Sequence, residues 1–301
     1  MEGIRLVNPD GSGSRLLVAS SIGPGTCVNV HGCGMGSLSW SPDRTKLAFW
    51  REDPSTSPST SSVFAINANG SDQHHLVTCE RKAPQTAAFL LDESCDGVSW
   101  SPDGNRLVVA TGGVLYLVDA DGKGLRALTH RDLYSEGVDS SPAWSPDGSR
   151  IMFLRGSVYT VRPNGSALKR VRGTGGAASA HWFPDGRTIA FTVATDLGFG
   201  DKVFSVGIDG SRLRLRLTTP ELADLESATW SPDGTRIAYE TEHRIGGNQG
   251  GFAADVWLER LDSTSRTRLF HEDCCIDYSP RPLWSPNGRQ IAITAGGQAS
   301  S

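Results

Sequence analysis

Six cysteines and a set of loop carboxylates are the residues of this chain with the most chemical capacity. Cys27, Cys33, Cys79, Cys95, Cys274 and Cys275 fall in three clusters. Three chemistries suit them. The first is disulfide formation. Cys27–Cys33 and Cys79–Cys95 are each close enough in sequence to bridge easily, whereas Cys274–Cys275 would form a strained vicinal bond or cross to a neighbouring loop. The second is free thiols. The third is zinc, held by Cys27, His31 and Cys33 together with His271, Cys274 or Cys275. These ligand types suit a tetrahedral site, but the spacings match no standard zinc motif. Disulfides are the expected state, and they imply an oxidising compartment.

Carboxylates recur in the same kind of segment: Asp132, Glu136, Asp139, Asp224, Glu226, Asp273 and Asp277. Calcium takes six to eight oxygen ligands, and such loops supply oxygens, but the spacing is not diagnostic of a calcium site. Solvated loop carboxylates are expected, with no cofactor and with calcium or zinc as the alternative. No Gly-x-Ser-x-Gly elbow, Gly-x-x-x-x-Gly-Lys loop or His-Glu-x-x-His helix occurs, so the common nucleophile, phosphate and metalloprotease motifs are missing. A binding role is expected rather than catalysis.

These residues need a frame, and the frame repeats. "SWSPDRTKLAFW" (39–50), "SWSPDGNRLVVA" (99–110), "AWSPDGSRIMFL" (143–154), "HWFPDGRTIAFT" (181–192), "TWSPDGTRIAYE" (229–240) and "LWSPNGRQIAIT" (283–294) are versions of one unit. Their tryptophans, Trp40, Trp100, Trp144, Trp182, Trp230 and Trp284, are 60, 44, 38, 48 and 54 residues apart. Periods of this size indicate a repeat architecture. Each unit reads as a hairpin. Pro presets the first turn dihedral, Asp bonds the nearby backbone, and Gly takes the left-handed position. Arg44 replaces that Gly in the first unit, and Asn287 replaces the Asp in the last.

A second set of hairpins lies between the first: "LVNPDGSGSRLL" (6–17), "AINANGSDQHHLV" (65–77), "LVDADGKGLRALT" (117–129), "TVRPNGSALKRVR" (160–172), "SVGIDGSRLRLRLT" (205–218) and "LERLDSTSRTRLF" (258–270). Two hairpins make a four-stranded antiparallel blade. The chain starts with the second type and ends with the first. The reading is therefore an all-β, six-bladed β-propeller in one domain, 1–301, whose N-terminal strands complete the C-terminal blade and remove the open edges. The tryptophans are expected between blades. In "RLRLRLT" (212–218) the leucines are expected inward and the arginines in water, protecting an edge.

One face carries the segments entering each first strand (18–37, 78–97, 129–141, 173–180, 218–227 and 269–281) and those joining the two hairpins of a blade, long at 51–62, 194–202 and 241–254, while the other carries only short turns, so binding is expected on the first. Three residues before each tryptophan stand Ser37, Gly97, Ser141, Ser179, Ser227 and Arg281. Small residues there fit strands converging on an axis. Read functionally, the same positions form a polar channel mouth with Arg281 as an anion anchor, joined by Glu226, Asp139, Asp96 and His181. Packing is the simpler role for His181.

The "W-S-P-D-G-x-x-I-A-F" unit resembles the β-propeller repeat of the TolB family, over nearly the whole chain. The resemblance implies a periplasmic or extracellular scaffold that recognises a protein or peptide partner. The same repeat also occurs in enzymes and accessory domains, so a saccharide- or peptide-directed activity with a metal or polar site at the channel mouth is the alternative. Composition agrees with a globular domain: 38% hydrophobic, 21% charged, net charge −4 over 301 residues. That balance argues against nucleic acid as partner. No apolar run suggests a membrane span, and a monomer is expected. The start, "MEGIRLVNPDG", has no basic and apolar leader, which keeps a cytoplasmic location open.

Overall fold

The computed structural model describes residues 3–7, 12–19, 35–53, 60–79, 95–130, 137–193, 202–218, 223–244, 252–260, 266–274, 282–285 and 287–295. The SPDG turns show why these stretches become hairpins. In the first, Ser41 Oγ donates to Asp43 Oδ1 and accepts from the Lys46 amide. The same pair of bonds recurs at Ser101, Ser145, Ser231 and Ser285, at 2.5–2.7 Å to the acidic or amide side chain and 2.9 Å from the amide. The residue after the Asp or Asn is left-handed in all six turns: Arg44, Gly104, Gly148, Gly186, Gly234 and Gly288, at φ between 60° and 71°. Phe183 replaces the serine in the fourth turn. There Asp185 turns to the Arg187 and Thr188 amides and the Thr188 hydroxyl instead.

Among the described residues twenty-four strands form six four-stranded antiparallel sheets, and the fold is a six-bladed β-propeller. Blade 1 is β3 (Met35–Trp40), β4 (Lys46–Asp53), β5 (Thr60–Asn67) and β6 (His74–Cys79). Blade 2 is β7 (Cys95–Trp100), β8 (Arg106–Thr111), β9 (Val114–Asp119) and β10 (Arg126–Ala127). Blade 3 is β11 (Ser140–Trp144), β12 (Ile151–Leu154), β13 (Val158–Val161) and β14 (Lys169–Arg170). Blade 4 is β15 (Ala177–Trp182), β16 (Thr188–Val193), β17 (Lys202–Gly207) and β18 (Arg214–Thr218). Blade 5 is β19 (Ala223–Trp230), β20 (Arg236–Arg244), β21 (Phe252–Arg260) and β22 (Arg266–Cys274). Blade 6 joins β23 (Pro282–Trp284) and β24 (Ile291–Ala295) to β1 (Gly3–Val7) and β2 (Arg15–Ala19). Ile4 pairs with Thr294 and Leu6 with Ala292, so strands from both ends of the sequence complete one sheet. No helix among the described residues is long and apolar enough to cross a membrane.

The strands fall into two units, residues 36–171 with blades 1–3 and residues 1–35 plus 172–301 with blades 4–6. In each, two motif tryptophans are wedged into the core shared with the preceding blade of the same unit. Trp100 packs with Ala48, Val63 and Leu76, and Trp144 with Val108, Leu117 and Leu128. Trp230 packs with Ala190 and Val203, and Trp284 with Ala238 and Val256. The neighbouring blade also holds the backbone and ring of the tryptophan. Ser39 Oγ accepts from the Trp100 amide and Ser99 Oγ from the Trp144 amide. Arg106 lies over the Trp144 ring and Arg236 over Trp284, placing a cation on an aromatic face.

One expectation is corrected in blade 4. Leu213 and Leu215 are 48% and 55% exposed, not inward, while Arg216 Nε donates to the buried Ser205 Oγ at 2.8 Å. A bulge is the cause. Val203 pairs with Leu217 and Phe204 with Leu215, so Arg216 is the extra residue and strict alternation ends there. The same bulge turns Leu17, Leu76 and Leu269 inward in blades 6, 1 and 5.

Candidate binding site

The ends of the sheets that receive the long segments carry the candidate residues. Their backbone is irregular there. The first strands of blades 2, 3, 4 and 5 each break register just before the tryptophan. This explains the small residues three positions ahead of it. Ser37 and Ser141 are left-handed, at φ 46° and 48°. A Cβ on Gly97 would lie 2.6 Å from Pro142 Cδ of the next blade, so a side chain there has no room. Ser179 instead closes its bulge through Thr192 Oγ1, which its amide and hydroxyl meet at 3.0 and 2.8 Å.

Asp139 precedes β11 and is completely buried. Arg155 grips it with two bonds, Nε to Oδ1 at 2.5 Å and Nη2 to Oδ2 at 2.9 Å. Thr129 Oγ1 donates to Oδ2 at 2.6 Å and in turn accepts from the Leu115 amide. The guanidinium also lies over the Phe153 and Tyr159 rings, 5.4 Å from each centroid. Charge, hydrogen bonds and ring faces are all matched. This cluster fastens the entry to blade 3 onto blade 2.

Asp96 is half-buried beside Gly97, at the bulge of β7. Next to it Cys95 forms a disulfide with Cys79, joining the last strand of blade 1 to the first strand of blade 2. Both cysteines are buried, at 3% and 1% exposure. The disulfide closes the long segment between them at its base. His181 is half-buried in β15, paired across the sheet with Ala190. Desolvation pushes its pKa down to about 4, so the ring is neutral at pH 7. That state suits a packed imidazole.

Glu226 lies in β19, where only the backbone is described, and Arg281 lies outside the described residues. So do Cys27, His31, Cys33 and Cys275. Cys274 ends β22 opposite Phe252, with its side chain undescribed. Of the zinc alternative, the His271 side chain is described. Its Nδ1 is 2.7 Å from Asp255 Oδ1, which also takes Arg268 at 3.5 Å. Of the calcium alternative, the described side chain is Asp139, held as above. Among the described residues no three His, Cys, Asp or Glu side chains converge as a metal would need.

Two polar groups escaped sequence reasoning. Arg155 and Thr129 bracket Asp139 from 16 and 10 residues away, and no motif marks them. In blade 5, Tyr239 donates to the buried Glu259 Oε2 at 2.8 Å. Burial and that carboxylate raise the phenol to about 12. Here a signal existed: "IAYE" carries Tyr239 where the other repeats read Phe49, Val109, Phe153, Phe191 and Ile293.

Four-stranded blades, tryptophan-filled junctions and long entry segments define a repeat-built β-propeller. The chain belongs to the TolB beta-propeller domain family, whose model matches residues 37–249. It is 25% identical over 211 residues to an uncharacterized protein of Agrobacterium fabrum, Atu1656, covering 67% of this chain and 66% of that one. TolB of Acinetobacter baumannii superposes with a TM-score of 0.58 at 16% identity, over 99% of this chain and 64% of TolB. The chain thus spans just under two thirds of the length of these two relatives. Oligogalacturonate lyase of Vibrio parahaemolyticus superposes with a TM-score of 0.55 at 12% identity, over 97% and 96%. At these identities the structural likenesses speak for the fold.

Proposed function

We propose that this chain is a non-enzymatic binding scaffold that recognises a protein or peptide partner through the face carrying its long entry segments. One observation supports this most. The repeat side chains with chemical capacity are engaged in holding the frame. Asp43, Asp103, Asp147 and Asp233 are held by serines and turn amides, which keep their pKa values below the usual carboxylate range. Asp139 is matched by Arg155 and Thr129. A frame that consumes its own polar groups leaves recognition to the segments it displays.

Membership of the TolB propeller family supports a protein partner. The buried Cys79–Cys95 bond supports work in an oxidising compartment, and for this family the periplasm or the exterior fits. The test is site-specific photocrosslinking with the whole chain. Probes are placed in segments 80–94 and 131–136, and at the opposite turns near Asn69 and Asp121. Crosslinks to one partner from the first set alone, followed by calorimetric binding of that purified partner, are expected. Crosslinks confined to the short turns, or turnover of saccharide or peptide substrates by the chain, would overturn the reading.

A further inference from the structure

The outer edge of blade 4 differs from the other outer strands. β10 and β14 are two residues long, and short strands offer little template for pairing. In β2, β6 and β22 the large apolar side chains Leu17, Val18, Leu76, Val77 and Leu269 are buried, and Leu16 and Phe270 are half-buried. β18 has five residues, pairs with β17 on one side, and ends its sheet. Leu215, at 55% exposure, is the one exposed large apolar side chain within an outer strand among the described residues. Leu213, two residues earlier and 48% exposed, extends the same apolar face.

Charge defines what fits this edge. The hairpin 202–218 carries Lys202, Arg212, Arg214 and Arg216 against a single acid, Asp209, in a chain whose net charge is −4. Arg172 adds a fifth cation, its Nη2 donating to the Asp209 carbonyl at 3.3 Å. A second copy of β18 laid against this edge would bring arginine against arginine, which disfavours self-pairing. An acidic strand would meet the opposite charge, and its alternate apolar residues would cover the two leucines.

We propose that the free edge of β18 is a docking site for an extended acidic peptide segment, alternating acidic and apolar residues, added as a fifth strand to blade 4. The probe is a fluorescent decapeptide of alternating valine and glutamate, with alternating valine and lysine as control. Fluorescence anisotropy is recorded at low and high salt, and amide hydrogen exchange is followed across residues 212–218. The acidic peptide is expected to bind, to weaken at least tenfold with salt or in Arg212→Glu/Arg214→Glu, and to slow exchange in β18. Leu213→Ser/Leu215→Ser, with unchanged melting, is expected to weaken binding while leaving the salt dependence. No binding, equal binding of the lysine peptide, or binding without protection of β18 would overturn the proposal. So would concentration-dependent dimerisation through this edge, read by sedimentation.

Discussion

Asp139 and Arg155 meet in a two-pronged ion pair with the carboxylate wholly buried and the arginine side chain 13% exposed. Removing the cation alone strands a buried charge. Arg155→Met is therefore expected to cost about 3–5 kcal/mol. Asp139→Asn/Arg155→Met, which removes both charges, is expected to cost clearly less than the sum of the single changes. Urea denaturation of the four proteins of this cycle measures both quantities. Equal, additive losses would mean the pair contributes no coupling.

The SPDG turns predict acid sensitivity. Ser231 and the Thr235 amide lower Asp233 from 3.8 to about 2. A depressed folded pKa means that the unfolded chain takes up the proton first. The stabilisation is complete above about pH 4 and is lost as pH falls towards 2. Asp233→Asn keeps the bond geometry, as Asn287 already does in blade 6 with Ser285 at 2.7 Å. The variant is expected to unfold with a shallower dependence on pH between 4 and 2 than the parent, measured by chemical denaturation.

His181 acts at higher pH. Its folded pKa of about 4 lies below the ordinary 6.5. Here too the unfolded chain binds the proton more readily, so stability falls as pH drops from 6.5 towards 4. His181→Asn is expected to lose less stability between pH 7 and pH 5 than the parent does. An unchanged difference would place the titrating group elsewhere.

Backbone strain gives a prediction of opposite sign at two kinds of position. Arg44 and Ala167 hold left-handed conformations, at φ 66° and 56°. Arg44→Gly and Ala167→Gly are expected to stabilise by up to about 1 kcal/mol, the relief exceeding the entropy glycine adds to the unfolded chain. Gly97→Ala drives a methyl towards Pro142 Cδ and is expected to destabilise by about 1–3 kcal/mol. Thermal melts rank the three.

Cys79→Ala/Cys95→Ala removes the bond that closes the segment between blades 1 and 2. A loss of about 2–4 kcal/mol is expected. In the unreduced native protein these two cysteines are expected to resist alkylation, and peptide mass mapping to recover them joined.

The repeats make the architecture legible in the amino-acid order alone. Turn chemistry is local, so Ser41, Pro42 and Asp43 announce their hairpin. Six copies, each with a tryptophan just before its turn, set the number of blades. Even the pairing of the last strands with the first follows from the order of the two hairpin types. The Cys79–Cys95 bridge was legible in part, because two cysteines 16 residues apart bridge easily. Sequence order favoured a disulfide over free thiols for this pair, and the packing of β6 beside β7 decides it. Other features depend on contacts between distant residues. Asp139 reads as one loop acid among seven until Arg155 and Thr129 fold around it. The arginines and leucines of 212–218 read as a clean alternation until one bulged residue changes which of them faces water. A side chain's role is set by what lies opposite, and only the tertiary structure brings its partners there.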